Sequence, residues 1–103
     1  MKKELKFIAN HFGPEKQREK AIEESGEYTQ ALKEYTYALK YEDDPQEIEY
    51  RRKHAIEEAA DTWITTWHFL HQENAWIEFW GFVKAKIKRT IERIKDGYYD
   101  SSL

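Results

Sequence analysis

The chain has 103 residues, enough for one small domain, and combines a charged fraction of 36% with an aromatic fraction of 16%. A disordered chain would carry few aromatic side chains, so we expect a folded protein. A net charge of −3 with both signs interspersed lacks the footprint of a nucleic-acid-binding protein, and the absence of cysteine excludes disulfides and thiolate metal sites. No apolar run approaches the roughly 18 residues of a membrane span or resembles a signal peptide, so we predict a cytoplasmic protein without a membrane partner.

Glycine, proline and capping residues predict four helices and no strand. Gly13 and Pro14 end a short first helix, since proline is tolerated in the first turn of the next one. Asp44 and Pro45 form a helix-start signature, and Gly97 favours a helix C-cap. The predicted helices cover residues up to 12, about 15–41, 45–71 and 74–97, in one domain of residues 2–97 with a tail of residues 98–103. We therefore expect an all-α bundle of long antiparallel helices, one short N-terminal helix plus three long ones.

The second predicted helix places an acid on its apolar face. At about 100° per residue, this apolar stripe consists of Ala21, Tyr28, Leu32, Tyr35 and Leu39, with Ala31 and Ala38 beside it. Glu24 lies inside the stripe and Glu27 lies at its edge. An ionised carboxylate in an apolar interface costs several kcal/mol unless it is paired or binds a metal. Glu24 therefore needs a partner.

The third predicted helix carries a second acidic pair, Glu58 and Asp61, on a different face from its main apolar stripe. Each pair has i, i+3 spacing, so its two carboxylates project the same way. Four facing carboxylates would repel and raise one another's pKa, which a hard cation relieves. Either pair alone more often marks a solvated face. Both together predict a Mg²⁺ site formed by Glu24, Glu27, Glu58 and Asp61, with Mn²⁺ as an alternative ion.

Two segments, "EKQREKAIEESGEYTQALKEY" and "HAIEEAADTWITTWHFL", resemble the MazG-like all-α nucleoside triphosphate pyrophosphohydrolases. The family motif is a double acid with ExxE, a spacer, and then ExxD. The matching residues are Glu23, Glu24 and Glu27 in the first half and Glu57, Glu58 and Asp61 in the second. The similarity runs from about Gln17 to Lys95, with a slightly longer spacer than is usual. After Asp61 the chain has "TWITTW" where the family usually carries aliphatic residues, so the base-binding residues stay unassigned.

The resemblance implies a Mg²⁺-dependent hydrolase that converts a nucleoside triphosphate and water to a monophosphate and pyrophosphate, in nucleotide-pool house-cleaning. Glu23 and Glu24 are the implied catalytic residues, with Glu23 as general base or outer partner of the metal site. One alternative is a non-catalytic helical module for interaction or assembly. Another is a relative of the same fold specialised for dUTP. The absence of ExxH from the chain argues against a di-iron bundle.

The fourth predicted helix has an apolar stripe flanked by basic side chains. The structural interpretation is a core helix whose long basic side chains reach solvent. The resemblance implies in addition that Lys84, Lys88 and Arg89 bind the triphosphate. Trp63 and Trp67 are expected in the core or an interface, with base stacking as the alternative.

The third predicted helix is apolar over most of its circumference. Such a helix is normally enclosed by neighbours, and one short helix plus two long ones do not enclose it. We therefore predict a homodimer or homotetramer that completes the bundle, which the resemblance also implies.

Overall fold

The structure, a computed structural model, describes residues 1–99. These residues are all-α, with three helices and no strand: α1 spans Lys2–Tyr41, α2 Pro45–Gln72 and α3 Trp76–Lys95. The chain divides into two compact units, Met1–Glu73 and the part that begins at Asn74. None of the three helices combines the length and the apolar content that crossing a bilayer requires. The all-α fold class is confirmed, whereas the predicted tail falls largely on residues 100–103, outside the described part.

The first two predicted helices are a single kinked helix. Gly13 has φ 80° and ψ 171°, a conformation that glycine adopts without the steric cost of a Cβ, and α1 continues on both sides of it. Pro14 follows the break and has no N–H to donate to the preceding turn. The break is therefore where the sequence placed it, but the prediction of two separate helices, and hence of four in total, is not confirmed.

The turn between α1 and α2 consists of residues 42–44 and makes the two helices antiparallel neighbours. The Asp44 side chain accepts a hydrogen bond of 3.0 Å from the backbone N–H of Gln46, and Pro45 occupies the first helical turn. This arrangement is the predicted N-cap. At the other end of the pair, the side chain of Gln72 donates to the backbone carbonyl of Ala9 at 2.9 Å. This bond holds the segment before the kink against the end of α2.

The seam of α1 that packs on α2 follows a seven-residue spacing. Its buried members after the kink are Gln17, Glu24, Ala31 and Ala38. Leu32 and Leu39, on the predicted stripe, are 41% and 58% exposed. The buried face is thus rotated from the predicted one toward the alanines, because small side chains let two helix backbones approach closely. The acid at position 24 lies in the centre of this contact.

The second unit contains α3, which ends in a Schellman motif. The N–H of Gly97 bonds to the carbonyl of Ile94, and the N–H of Tyr98 to that of Arg93. Gly97 has φ 71°, the left-handed conformation that this motif requires. The predicted glycine at the end of α3 is confirmed, and it follows the C-cap residue Asp96 by one position.

Candidate metal centre

Glu24 is buried at the seam between α1 and α2. The residue is 6% exposed, and its Oε2 atom has no hydrogen-bond partner within residues 1–99. Its Oε1 atom lies 3.1 Å from Nζ of Lys20, one turn earlier on α1. This hydrogen bond raises the pKa of Lys20, and the charge of Glu23 adds to the effect. The Oε1 atom of Glu24 thus pairs with a solvent-exposed lysine, whereas its Oε2 atom can still accept a hydrogen bond or bind a cation.

Two acids of α2 face Glu24 across the seam. One carboxylate oxygen from each of Glu24, Glu58 and Asp61 lies within 4.8 Å of the other two. Oε2 of Glu58 is also buried and has no hydrogen-bond partner in the described chain, while its Oε1 lies 4.0 Å from Nε2 of His54. The hydroxyl of Thr62 donates to the backbone carbonyl of Glu24 at 3.2 Å, which fixes the register of the two helices at this level. Glu24 of the first acidic pair thus lies beside both acids of the second pair, whereas Glu27 is outside this group.

The remaining acids form a second group on α1 alone. Glu23, Glu24 and Glu27 have carboxylate oxygens within 4.8 Å of one another, so Glu24 belongs to both groups. The negative charge of Glu24 raises the pKa of Glu27, and desolvation and the charge of Glu58 act in the same direction. Glu23 and Glu27 are exposed, whereas Glu24 is enclosed. The structure thus brings the four predicted ligands to one level of the helix pair as two overlapping groups.

This donor set fits a hard divalent cation. Carboxylate oxygens are the ligands that Mg²⁺ uses in proteins, usually together with water and substrate phosphates. An unpaired buried carboxylate oxygen is costly, and Glu24 and Glu58 each contribute one. The exposed side of the cluster, at Glu23, Glu27 and Asp61, leaves room for water and for a phosphate chain. A cation here would satisfy the buried oxygens and relieve the repulsion that raises the pKa of Glu27.

A cavity of about 420 Å³ opens beside the acids, between α1 and α2. Its wall includes Glu24 and Asp61 at one end and the apolar side chains of Ile8 and Phe12. Ligand pockets in proteins range from about 300 to 1,000 Å³, so this volume suits a small molecule. The cavity places an apolar, partly enclosed space next to the candidate metal ligands.

The cavity wall includes polar residues beside the acids to which the sequence analysis assigned no role, among them Lys20, Gln17 and His68. Lys20 is a cation beside the acids, and Gln17 and His68 are buried polar side chains at 3% and 1% exposure. The signal that could have found the buried pair is spacing, because Gln17 and His68 each lie seven residues from an acid of the cluster, Glu24 and Asp61 respectively. Two helical turns keep both on the face that carries the acid.

The other predicted ligand-binding residues are three cations of α3 and two tryptophans of α2. Lys84, Lys88 and Arg89 are exposed residues of α3, in the second unit. Trp63 is 50% exposed, and Trp67 stacks on the ring of His71 at 5.0 Å between ring centroids. Neither tryptophan is part of the cavity wall formed by the described residues. Base stacking on either tryptophan stays a prediction.

Comparisons with protein-family models, with curated proteins and with solved structures find no match for this chain.

Proposed function

We propose that the chain is a Mg²⁺-dependent nucleoside triphosphate pyrophosphohydrolase of the MazG-like kind, acting on nucleotides in the cytoplasm. The observation that carries the proposal is the position of Glu24. It is buried at the centre of a helix seam, one of its oxygens has no hydrogen-bond partner among residues 1–99, and it faces Glu58 and Asp61 with carboxylate oxygens within 4.8 Å of one another. A carboxylate in such a place is expensive for folding alone. A role in binding a cation and its phosphate ligand accounts for it.

The acids of the cluster have two roles in this proposal. Glu24, Glu27, Glu58 and Asp61 would hold the ion. When bound, Mg²⁺ neutralises phosphate oxygens and activates water. Glu23 is exposed beside Glu24 and accepts a proton from the attacking water. The helix pair itself positions the reactants, which is the main requirement of phosphoryl transfer.

The bond that breaks lies between the α- and β-phosphates, as the motif resemblance implies. The oxygen of water attacks the α-phosphorus, and the bond from that phosphorus to the bridging oxygen breaks. Pyrophosphate leaves with the bridging oxygen, and the nucleoside monophosphate stays with the new oxygen. The proton released from water passes through Glu23 to solvent.

Pyrophosphate release from a panel of natural and modified nucleoside triphosphates, with and without Mg²⁺, tests this function. Glu24→Gln and Asp61→Asn are expected to abolish turnover with the helical circular dichroism spectrum unchanged. Glu49→Gln is the matched control. Glu49 is an exposed acid of α2 whose carboxylate forms an ion pair of 3.2 Å with the guanidinium of Arg52. Near-native activity in either cluster variant, or orthophosphate and a diphosphate as products, would contradict the proposal.

The same assay, together with thermal unfolding with and without Mg²⁺, separates the alternative functions. A non-catalytic assembly module would release no pyrophosphate from any triphosphate and would gain no specific stability from Mg²⁺. A relative specialised for dUTP would be active on dUTP and inactive on the rest of the panel. The relative specialised for dUTP would use the same metal chemistry as the proposed enzyme.

For α3, we propose that Lys84 and Lys88 bind the triphosphate, with Arg89 on the neighbouring flank. All three are exposed cations on a helix whose apolar stripe lies elsewhere on its surface. Lys84→Ala or Lys88→Ala is expected to raise KM for the triphosphate with little change in thermal stability. If Arg89→Ala alone raises KM, the opposite flank of α3 binds the phosphates.

We propose further that the protein is a homodimer or homotetramer. Large apolar side chains are exposed in the first unit, among them Leu32, Leu39 and Trp63. In the second unit, α3 carries an apolar stripe that a single helix cannot bury by itself, with Ile87 and Ile91 about half exposed. Exposed apolar patches of this kind mark interaction surfaces. Sedimentation equilibrium at micromolar concentration tests the proposal, and a mass near the 12.5 kDa of one chain would contradict it.

A further inference from the structure

The cavity beside the acids has a second polar level, two turns away from the candidate metal ligands. Gln17 precedes Glu24 by seven residues on α1, and His68 follows Asp61 by seven residues on α2. Because the helices are antiparallel, both displacements run in the same direction along the pair. At about 1.5 Å per residue, each displacement is about 10 Å. All four residues are part of the wall of one cavity.

His68 is a buried imidazole with unused hydrogen-bonding capacity. It is 1% exposed, and within residues 1–99 neither ring nitrogen has a hydrogen-bond partner of good geometry, the backbone of Leu5 being its one weak polar contact. Burial lowers the pKa of His68, an effect that the backbone of Leu5 opposes, so the ring is held toward its neutral form. A neutral imidazole presents one N–H donor and one acceptor nitrogen. Buried polar groups in folded proteins are nearly always well paired, so this incompletely paired ring can accept a bond from a ligand or donate one to it.

Gln17 adds a complementary group at the same level. It is 3% exposed and belongs to the cavity wall, and a glutamine amide offers both a carbonyl acceptor and two N–H donors. The apolar side chains of Ile8 and Phe12 are part of the same wall. The wall also contains the exposed charged residues Lys16, Glu19 and Lys20, but the buried part at this level combines apolar surface with a few donors and acceptors, as ligand pockets typically do. This level differs from the acidic end of the cavity, which suits a cation and phosphates.

We propose that this level of the cavity binds the heterocyclic base of a nucleotide, with Gln17 and His68 hydrogen-bonding to its edge and Ile8 and Phe12 contacting its face. The proposal rests on the proposed hydrolase function, because the phosphates of the same nucleotide would then reach the acids about two helical turns away. The two buried side chains discriminate between bases, since a base with the wrong edge leaves these buried polar groups unpaired. Gln17 and His68 are thus the specificity-determining residues of the site.

The test combines a binding measurement with a rate measurement. In the wild-type protein, the ring proton resonances of His68 are followed by NMR during titration with adenosine, guanosine, cytidine, uridine and thymidine monophosphates in Mg²⁺. Saturable shifts are expected for the preferred base and not for the others. In parallel, kcat/KM is measured for the five matching triphosphates with the wild type, Gln17→Leu and the control Gln30→Leu, which changes an exposed glutamine of the same helix. Gln17→Leu is expected to reduce the ratio between the best and the poorest base at least tenfold, about 1.4 kcal/mol.

The outcomes separate this proposal from the proposed function. Pyrophosphate release with unshifted His68 resonances, or with the same base ranking in Gln17→Leu and the wild type, overturns the base site and leaves the hydrolase intact. Saturable His68 shifts without pyrophosphate release overturn the hydrolase and leave a nucleotide-binding cavity. Absence of both shifts and turnover overturns both proposals. The His68 measurement uses the wild type, so it does not depend on a variant that folds.

Discussion

Replacement of Glu24 by glutamine should remove the stabilisation that Mg²⁺ gives to the folded protein. The substitution keeps the size of the side chain and deletes the charge that belongs to both acidic groups. A ligand that binds only the folded state stabilises it by RT ln(1 + [L]/Kd), about 1.4 kcal/mol at a tenfold excess over Kd. For a domain of 60–100 residues, each kcal/mol changes Tm by about 4–8 °C, so the wild type should gain roughly 6–11 °C.

In the absence of divalent ions, the same substitution should have a small or opposite effect. The charge lost at Glu24 repels Glu27 and Glu58, whereas the ion pair lost with it involves Lys20, whose side chain is 54% exposed. Exposed pairs contribute little, because water screens them. Glu24→Gln should therefore unfold at the wild-type temperature or above it when the ion is absent. The variant would lose the response to Mg²⁺ without losing the fold.

Thermal unfolding followed by circular dichroism, with a Mg²⁺ titration at constant ionic strength, measures both effects. Glu49→Gln is the control, since it removes an exposed carboxylate of α2 whose partner is Arg52. It should keep the full Mg²⁺ response. An equal rise in Tm for Glu24→Gln and the wild type would refute the argument that the buried carboxylate binds the ion, and so would a wild type that does not respond at all.

Three further predictions follow from single contacts. The raised pKa of Glu27 means that its protonated form stabilises the fold. This stabilisation is complete below the ordinary pKa of 4.5 and is lost as pH rises through the raised pKa of Glu27. Without divalent ions, the Tm of the wild type should therefore fall over that pH range more steeply than the Tm of Glu27→Gln. Equal slopes would contradict the raised pKa. Asp44→Ala should cost about 0.5–2 kcal/mol in urea unfolding by removing the cap of α2, and an equal loss in Asp43→Ala would argue against capping. Ala31→Leu should destabilise the helix pair by about 1–3 kcal/mol because Ala31 is 1% exposed, and an unchanged urea midpoint would show that the seam has spare room.

The helices could be predicted from sequence because their ends are set by local chemistry. Asp44 and Pro45 specify the start of α2, and Gly97 specifies the end of α3, through bonds within a few residues. The Gly13 break was also legible, since glycine and proline together interrupt the helical hydrogen bonds. Whether the chain then begins a new helix or continues with a kink depends on packing against α2, which no local signal at Gly13 encodes.

The buried face of α1 could be predicted only approximately. Ala31 and Leu32 are consecutive in sequence and project about 100° apart on the helix, and hydrophobicity alone favours burial of the leucine. The structure buries the alanine, because the distance between the α1 and α2 backbones decides which side chain fits. Glu24 was found because it lies close to the stripe under either choice. The seven-residue spacing places Gln17 and His68 on the same helix faces as Glu24 and Asp61, but it does not show that the facing helix buries them.

The uneven composition of the α1 seam divides the helix pair into two halves of different local stability. Near the turn, Ala31 and Ala38 pack closely, whereas the half that contains Gln17 and Glu24 borders a cavity and buries polar groups. Local opening free energies follow the density of apolar contacts, so backbone amides of the second half should exchange with deuterium first. The half that contains Ala31 and Ala38 keeps the two helices packed together while the half that contains Gln17 and Glu24 opens locally. A ligand can therefore enter between the helices without global unfolding.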